Sequence, residues 1–157
     1  MFNLTLPGAI HTVLAALAIA FGIVQFCRPK GDPLHRAVGY GYVGVMLIAD
    51  GAAMLVVRFT GKFNIFHAGA IVNMVCICVA LLAVLARPRR PGWGLRHYYW
   101  MSWSYVGLLA AAATELVVRT APLANRAQAW AATIAATLAV TLVGYMLINR
   151  HRPIAAR

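Results

Sequence analysis

Four histidines stand near the starts of four successive apolar segments of this chain, namely His11, His35, His67 and His97. Imidazole titrates close to physiological pH, and it is a common axial ligand of haem iron. A single histidine at the end of an apolar segment is usually an interfacial polar group. The recurrence on four successive segments instead favours a set of cofactor ligands.

Two acids, Asp50 and Glu115, are the only carboxylates within the apolar segments. Carboxylates are costly in a membrane and usually face the interior of a helix bundle or a water-filled cavity. His97 and Glu115 are separated by about five helical turns, which places them on one helix face. We expect both acids to face the same core as the histidines and to serve as a proton relay. The alternative is that they pair with Arg58, Arg119 or a histidine.

These residues must be positioned by membrane-spanning helices. The chain has 157 residues, of which 62% are hydrophobic and 11% are charged. Each apolar segment has about twenty residues, which suits a helix that crosses a hydrocarbon layer of roughly 30 Å. Backbone groups in lipid must bond internally, so we expect helices. The sequence predicts one all-α membrane domain, residues 1–157, with five transmembrane helices at about 8–27, 37–57, 67–86, 97–118 and 129–148.

The formal net charge of +11 comes from bases that lie between the apolar segments. This position suits lipid headgroups rather than nucleic acid. Ten basic residues fall on one predicted side: Arg28, Lys30, Arg36, Arg87, Arg89, Arg90, Arg96, Arg150, Arg152 and Arg157. Four fall on the other: Arg58, Lys62, Arg119 and Arg126. The positive-inside rule then predicts a multi-pass protein of the bacterial inner membrane, with its N-terminus outside and its C-terminus in the cytoplasm.

An up-down bundle of the first four helices predicts two histidine pairs. Helices one and three are diagonal in such a bundle, as are helices two and four. His11 and His67 then form an outer pair, and His35 and His97 form an inner pair. Two imidazoles that face each other suit a six-coordinate iron. The sequence therefore predicts two b-type haems and transmembrane electron transfer, with a quinone or another redox partner.

Three further residues suit a flat macrocycle. Gly22 lies almost three turns after His11 on the same helix face, and Gly39 follows His35. Glycine lets a bulky ligand approach the backbone closely. The guanidinium of Arg36 suits a haem propionate. We therefore expect Gly22, Gly39 and Arg36 to contact the cofactor.

Two other interpretations remain open at the level of sequence. His11, Asp50, His67 and Glu115 together suit an outer-face site for zinc or a similar divalent metal. The fifth helix carries no charged residue and no histidine between Trp130 and Ile148, and its threonines and alanines suit close helix packing. It would then attach a non-catalytic accessory subunit to a larger membrane complex. No nucleophile motif identifies an enzyme.

One stretch of the chain carries a family resemblance. The residues Lys30-Gly31-x-x-x-His35-Arg36-x-x-Gly39-x-x-Tyr42 resemble a motif of a family of uncharacterised bacterial polytopic membrane proteins. His11, Gly22, Gln25, Phe66-His67 and His97-x-x-x-Met101 extend the resemblance over the first four helices. It implies the same membrane fold and emphasises the same four histidines. The architecture is also similar to that of transmembrane dihaem b-type cytochromes.

Overall fold

The computed structural model describes residues 6–55 and 62–153, and these residues form helices without any strand. The helices are α1 (Leu6–Cys27), α2 (Pro33–Met54), α3 (Ile65–Leu85), α4 (Trp93–Thr120) and α5 (Arg126–Arg150). All five are long and apolar enough to cross a membrane. The prediction of an all-α protein with five membrane-spanning helices is therefore confirmed.

The chain divides into two compact units, Met1–Val75 and Cys76–Arg157. The first unit contains the closely packed pair α1 and α2, and the second contains the closely packed pair α4 and α5. The unit boundary falls within α3. The four-helix core proposed from the sequence stays a prediction.

The turn between α1 and α2 is built by Lys30 and Gly31, the first two residues of the stretch that carries the family resemblance. The ammonium group of Lys30 donates to the carbonyl oxygens of Gln25 and, at 3.1 Å, of Arg28. Gly31 has a φ of +88°, a conformation that glycine adopts without steric cost. Lys30 thus satisfies carbonyls at the end of α1 while Gly31 reverses the chain.

Asp32 then begins α2 as its N-cap, followed by Pro33 in the first helical position. The Asp32 carboxylate accepts from the backbone N–H of His35 at 2.5 Å. This N–H, reinforced by the Arg28 guanidinium at 3.6 Å, lowers the pKa of Asp32 below its usual range. The cap explains why α2 begins at Pro33, earlier than the predicted start at 37.

The fifth helix packs on α4 through small residues. A side chain at Gly144 would lie 2.5 Å from a methyl carbon of Val106, so only glycine permits this approach. The hydroxyls of Thr114 and Thr137 lie 3.3 Å apart. Tyr98 adds a hydrogen bond of 2.9 Å to a carbonyl of α5. The predicted packing role of the fifth helix is thus seen against α4.

Candidate functional site

His11 on α1 is held by the backbone of α2. Its Nδ1 lies 2.9 Å from the carbonyl oxygen of Ala49. A carbonyl oxygen only accepts, so Nδ1 carries the proton and Nε2 keeps a lone pair. Ligating histidines in metal proteins usually have their second ring nitrogen bonded in this way. His11 therefore has the tautomer and the support of a metal ligand.

His97 repeats this arrangement in the second unit. Its Nδ1 lies 3.1 Å from the carbonyl oxygen of Ala80 on α3. Because α4 begins at Trp93, His97 lies one turn inside the helix rather than at its predicted start at 97. The ring is partly buried, and its Nε2 keeps the lone pair. His97 therefore also fits a haem ligand.

His67 takes part in the cap at the start of α3. The backbone N–H of Asn64 donates to Nδ1 of His67 at 3.1 Å, so the ring proton resides on Nε2. Asn64 returns a bond by accepting from the N–H of Phe66 at 2.9 Å, which makes a capping box at the start of α3. The ring also stacks on Phe63 with centroids 5.2 Å apart. His67 is thus a buried capping residue, and the expected outer pair of His11 and His67 stays a prediction.

The residues around His35 contact Gln25 of α1 and so join the two helices of the first hairpin. The carbonyl of His35 accepts from the side-chain amide of Gln25 at 2.7 Å. A side chain at Gly39 would lie 2.9 Å from the same amide nitrogen. The space beside Gly39 therefore holds the amide of Gln25 in the described structure, and the predicted contact of Gly39 with a haem stays a prediction. Gly22 is buried on α1, and Arg36 is exposed in the first turn of α2.

The pair of His35 and His97 stays a prediction, because the two residues belong to different units. The ring of His35 is partly buried in the first unit. Its backbone is fixed on both sides by Asp32 and Gln25. These bonds hold the start of α2 firmly, which is a requirement for any ligand that α2 presents.

Asp50 faces the interior of the first unit, as predicted. It is 6% exposed, and its carboxylate accepts from the amide of Asn73 on α3 at 2.7 Å. The ring of His11 lies close enough to interact with this carboxylate electrostatically. Sequence reasoning missed Asn73, although an asparagine within an apolar segment is a detectable signal. Asp50, Asn73 and His11 thus connect three helices through polar groups.

Glu115 is exposed and pairs with Arg119 one turn later on α4, with Nε and Oε1 2.6 Å apart. The expectation that Glu115 faces the core is therefore wrong, and the alternative of an arginine partner is confirmed. The 3.6-residue helical repeat predicts that Glu115 and His97 lie on the same face of α4. It does not show which face of α4 packs against other helices.

The four-ligand metal alternative stays a prediction, because Glu115 belongs to the second unit and the other three residues belong to the first. It required His11, Asp50, His67 and Glu115 at one site. Among residues 6–55 and 62–153, no group of three or more His, Cys, Asp or Glu side chains is placed to hold a metal ion. His67 uses its Nδ1 in a helix cap, and Glu115 is committed to Arg119.

The comparisons with known proteins give one match. A family model described as "Predicted membrane protein (DUF2306)" matches residues 8–150, which extend from the first helix to the fifth. No curated protein and no solved structure matches the chain. The match covers most of the chain, and its description agrees with the five membrane-spanning helices.

Proposed function

The chain belongs to the DUF2306 family of predicted membrane proteins, and we propose that it transfers electrons in the bacterial inner membrane through two b-type haems. One haem is held by His11 in the first unit, and the other by His97 in the second. The prediction that the electron partner is a membrane quinone or a redox protein is kept within this proposal.

The observation that carries this proposal is the contact that each of the two histidine rings makes with the backbone of another helix. In each ring, Nδ1 meets a main-chain carbonyl of another helix, at 2.9 Å for His11 and at 3.1 Å for His97. This bond orients the imidazole and leaves Nε2 as the nitrogen that can act as a ligand. His151 also meets a carbonyl, but it is exposed and bonds only within its own helix. The support from a second helix therefore distinguishes His11 and His97.

The bound haem would supply a reversible one-electron change at iron. The protein's own contribution is to hold the ligand rings and to manage charge. An added negative charge in a medium of low polarity favours protonation of a neighbouring carboxylate. Asp50, which lies near His11, would then take up a proton on reduction and release it on oxidation. This role retains the predicted proton function for Asp50 and drops it for Glu115.

The accessory-subunit alternative stays a prediction. The threonine face of α5, on which that alternative was based, contacts α4 through Thr137 and Thr114 within this chain. Association with a larger complex would therefore have to use the exposed apolar side of α5, which includes Ile134, Leu138 and Leu142. Lipid suits the same side chains equally well.

The test is the visible spectrum of the purified protein after expression with ample haem. We expect a sharp reduced-minus-oxidised Soret band. His11→Ala and His97→Ala should each remove about half of the pigment, because each removes an axial ligand of one of two irons. A colourless wild-type protein would overturn the proposal.

Two histidine variants serve as controls. His151→Ala should keep all pigment, because His151 lies at the exposed end of α5. His67→Gln should also keep it, because the ring proton is on Nε2. Loss of half the pigment in His67→Gln would restore the original pairing of His11 with His67 and refute the tautomer argument.

A further inference from the structure

A groove in the second unit combines an apolar wall with two arginines. Its volume is about 320 Å³, and its walls are formed by Val79, Leu82, Ala83, Ala86, Arg90, Trp93 and Arg96. Val79, Leu82 and Ala83 lie in the last turns of α3, and Ala86 comes directly after its end. Arg90 lies in the connection to α4, and Trp93 and Arg96 lie in the first turn of α4. The groove therefore changes from apolar to cationic where α3 ends and α4 begins.

The two arginines receive no side-chain anion from this chain. The protein has only three acids, Asp32, Asp50 and Glu115. Each is engaged elsewhere in the described structure: Asp32 by Arg28, Asp50 by Asn73, and Glu115 by Arg119. Two exposed guanidinium groups beside an apolar wall are therefore open to an anion from outside the protein, such as a lipid headgroup.

The neighbouring arginines of the same connection behave differently. Arg87 donates to the carbonyl oxygens of Val84 and Ala86, at 3.1 and 3.4 Å, so its charge serves the end of α3. Arg89 donates to Val84 at 3.3 Å and lies 4.3 Å from the ring centre of Trp93. Arg89 thus supports the indole that forms one wall of the groove. Arg90 and Arg96 are the arginines that line the groove itself.

We propose that this groove binds an anionic phospholipid, with its phosphate at Arg90 and Arg96 and the upper part of an acyl chain along Val79, Leu82 and Ala86. A guanidinium pairs with phosphate through two parallel hydrogen bonds. The apolar wall runs along the last turns of α3 and the arginines lie at its end, so the two parts of the groove match the two parts of a lipid. A volume of about 320 Å³ accepts a headgroup and the start of a chain.

The experiment measures thermal unfolding of the delipidated full-length protein in a neutral detergent. The probes are phosphatidylglycerol, phosphatidylcholine and inorganic phosphate, each titrated separately. We expect phosphatidylglycerol to raise the unfolding temperature, with much smaller effects from the other two. Arg90→Gln/Arg96→Gln should weaken the apparent affinity for phosphatidylglycerol by about tenfold or more.

The matched control is Arg87→Gln, which removes one charge from the same connection but leaves the groove arginines intact. It should bind phosphatidylglycerol as the wild type does. An equal loss in Arg87→Gln would show general charge attraction and would overturn the site. An equal response to inorganic phosphate would show a free-anion site and would overturn the lipid assignment.

A second variant covers the case in which the double arginine variant does not fold. Ala86→Leu keeps all charges and narrows the apolar part of the groove. It should weaken the response to phosphatidylglycerol, and an unchanged response would contradict the acyl-chain placement. Pigment recorded in the same samples keeps this result separate from the haem proposal, because neither Arg90 nor Ala86 is a proposed ligand.

Discussion

At the scale of single residues, the protons on the imidazole rings separate the histidines into different roles. His11 and His97 donate from Nδ1 to carbonyl oxygens and keep Nε2 as a ligand atom. His67 accepts at Nδ1 from an amide and therefore carries its proton on Nε2. Residues that look equivalent in the sequence thus differ in the one property that decides metal ligation.

The bond between Asn73 and Asp50 gives a prediction at this scale. Asn73→Leu should lower the free energy of unfolding by about 1–3 kcal/mol, because a buried carboxyl loses its hydrogen-bond donor. The double variant Asp50→Leu/Asn73→Leu should recover most of this loss, because neither partner then remains unsatisfied. Unfolding in detergent, followed by tryptophan fluorescence, measures both. If the free-energy losses of Asp50→Leu and Asn73→Leu added up to the loss of the double variant, the 2.7 Å contact would contribute no coupling energy.

At the scale of elements, helix ends and close contacts give several residues of the first three helices a structural role. Lys30 and Gly31 form the turn after α1, and Asp32 caps α2. His67 belongs to the cap of α3. Gly39 makes room for the amide of Gln25. The stretch from Lys30 to Gly39 therefore includes residues that build the hairpin of α1 and α2.

The contact between α4 and α5 gives the prediction at this scale. Gly144→Ala should destabilise the protein by about 1–3 kcal/mol, because the new methyl would overlap the side chain of Val106. Adding Val106→Ala should restore stability, because it removes both methyls that the new group meets. Gly107→Ala is the control on α4, since a side chain there meets nothing within 4 Å. Equal effects of Gly144→Ala and Gly107→Ala would contradict close packing at Gly144.

At the scale of the whole molecule, the imbalance between bases and acids governs how the chain meets the membrane. The chain has fourteen Lys and Arg residues but only three Asp and Glu residues. Pairing within the chain can neutralise only a few of these charges. We expect the remaining bases to interact with lipid headgroups and their distribution over the loops to direct insertion.

Topology is the prediction at this scale. Ten basic residues on one side against four on the other should place the N-terminus outside and the C-terminus in the cytoplasm. A fluorescent protein fused after residue 157 should therefore fluoresce, and an alkaline phosphatase fused at the same point should be inactive. The same phosphatase fused in the connection between α2 and α3 should be active. An active phosphatase at the C-terminus would reverse the assignment.

The sequence by itself determined the number and type of the helices. Apolar length and the requirement for internal backbone hydrogen bonds are local properties, so five segments of about twenty residues could be read directly. The burial of Asp50 could also be predicted, because a lone acid in an apolar helix has few stable surroundings. Helix bounds were less accurate, since the caps at Asp32 and Asn64 depend on turn geometry.

The tertiary structure decided which polar residues meet and which proton each ring keeps. The tautomer of His11 depends on a carbonyl of α2, and that of His97 on a carbonyl of α3; neither partner is near in sequence. Asn73 acquired its role only through Asp50, which lies on another helix. Glu115 was misplaced because helical periodicity fixes angles within one helix, whereas exposure depends on which face the neighbouring helices cover.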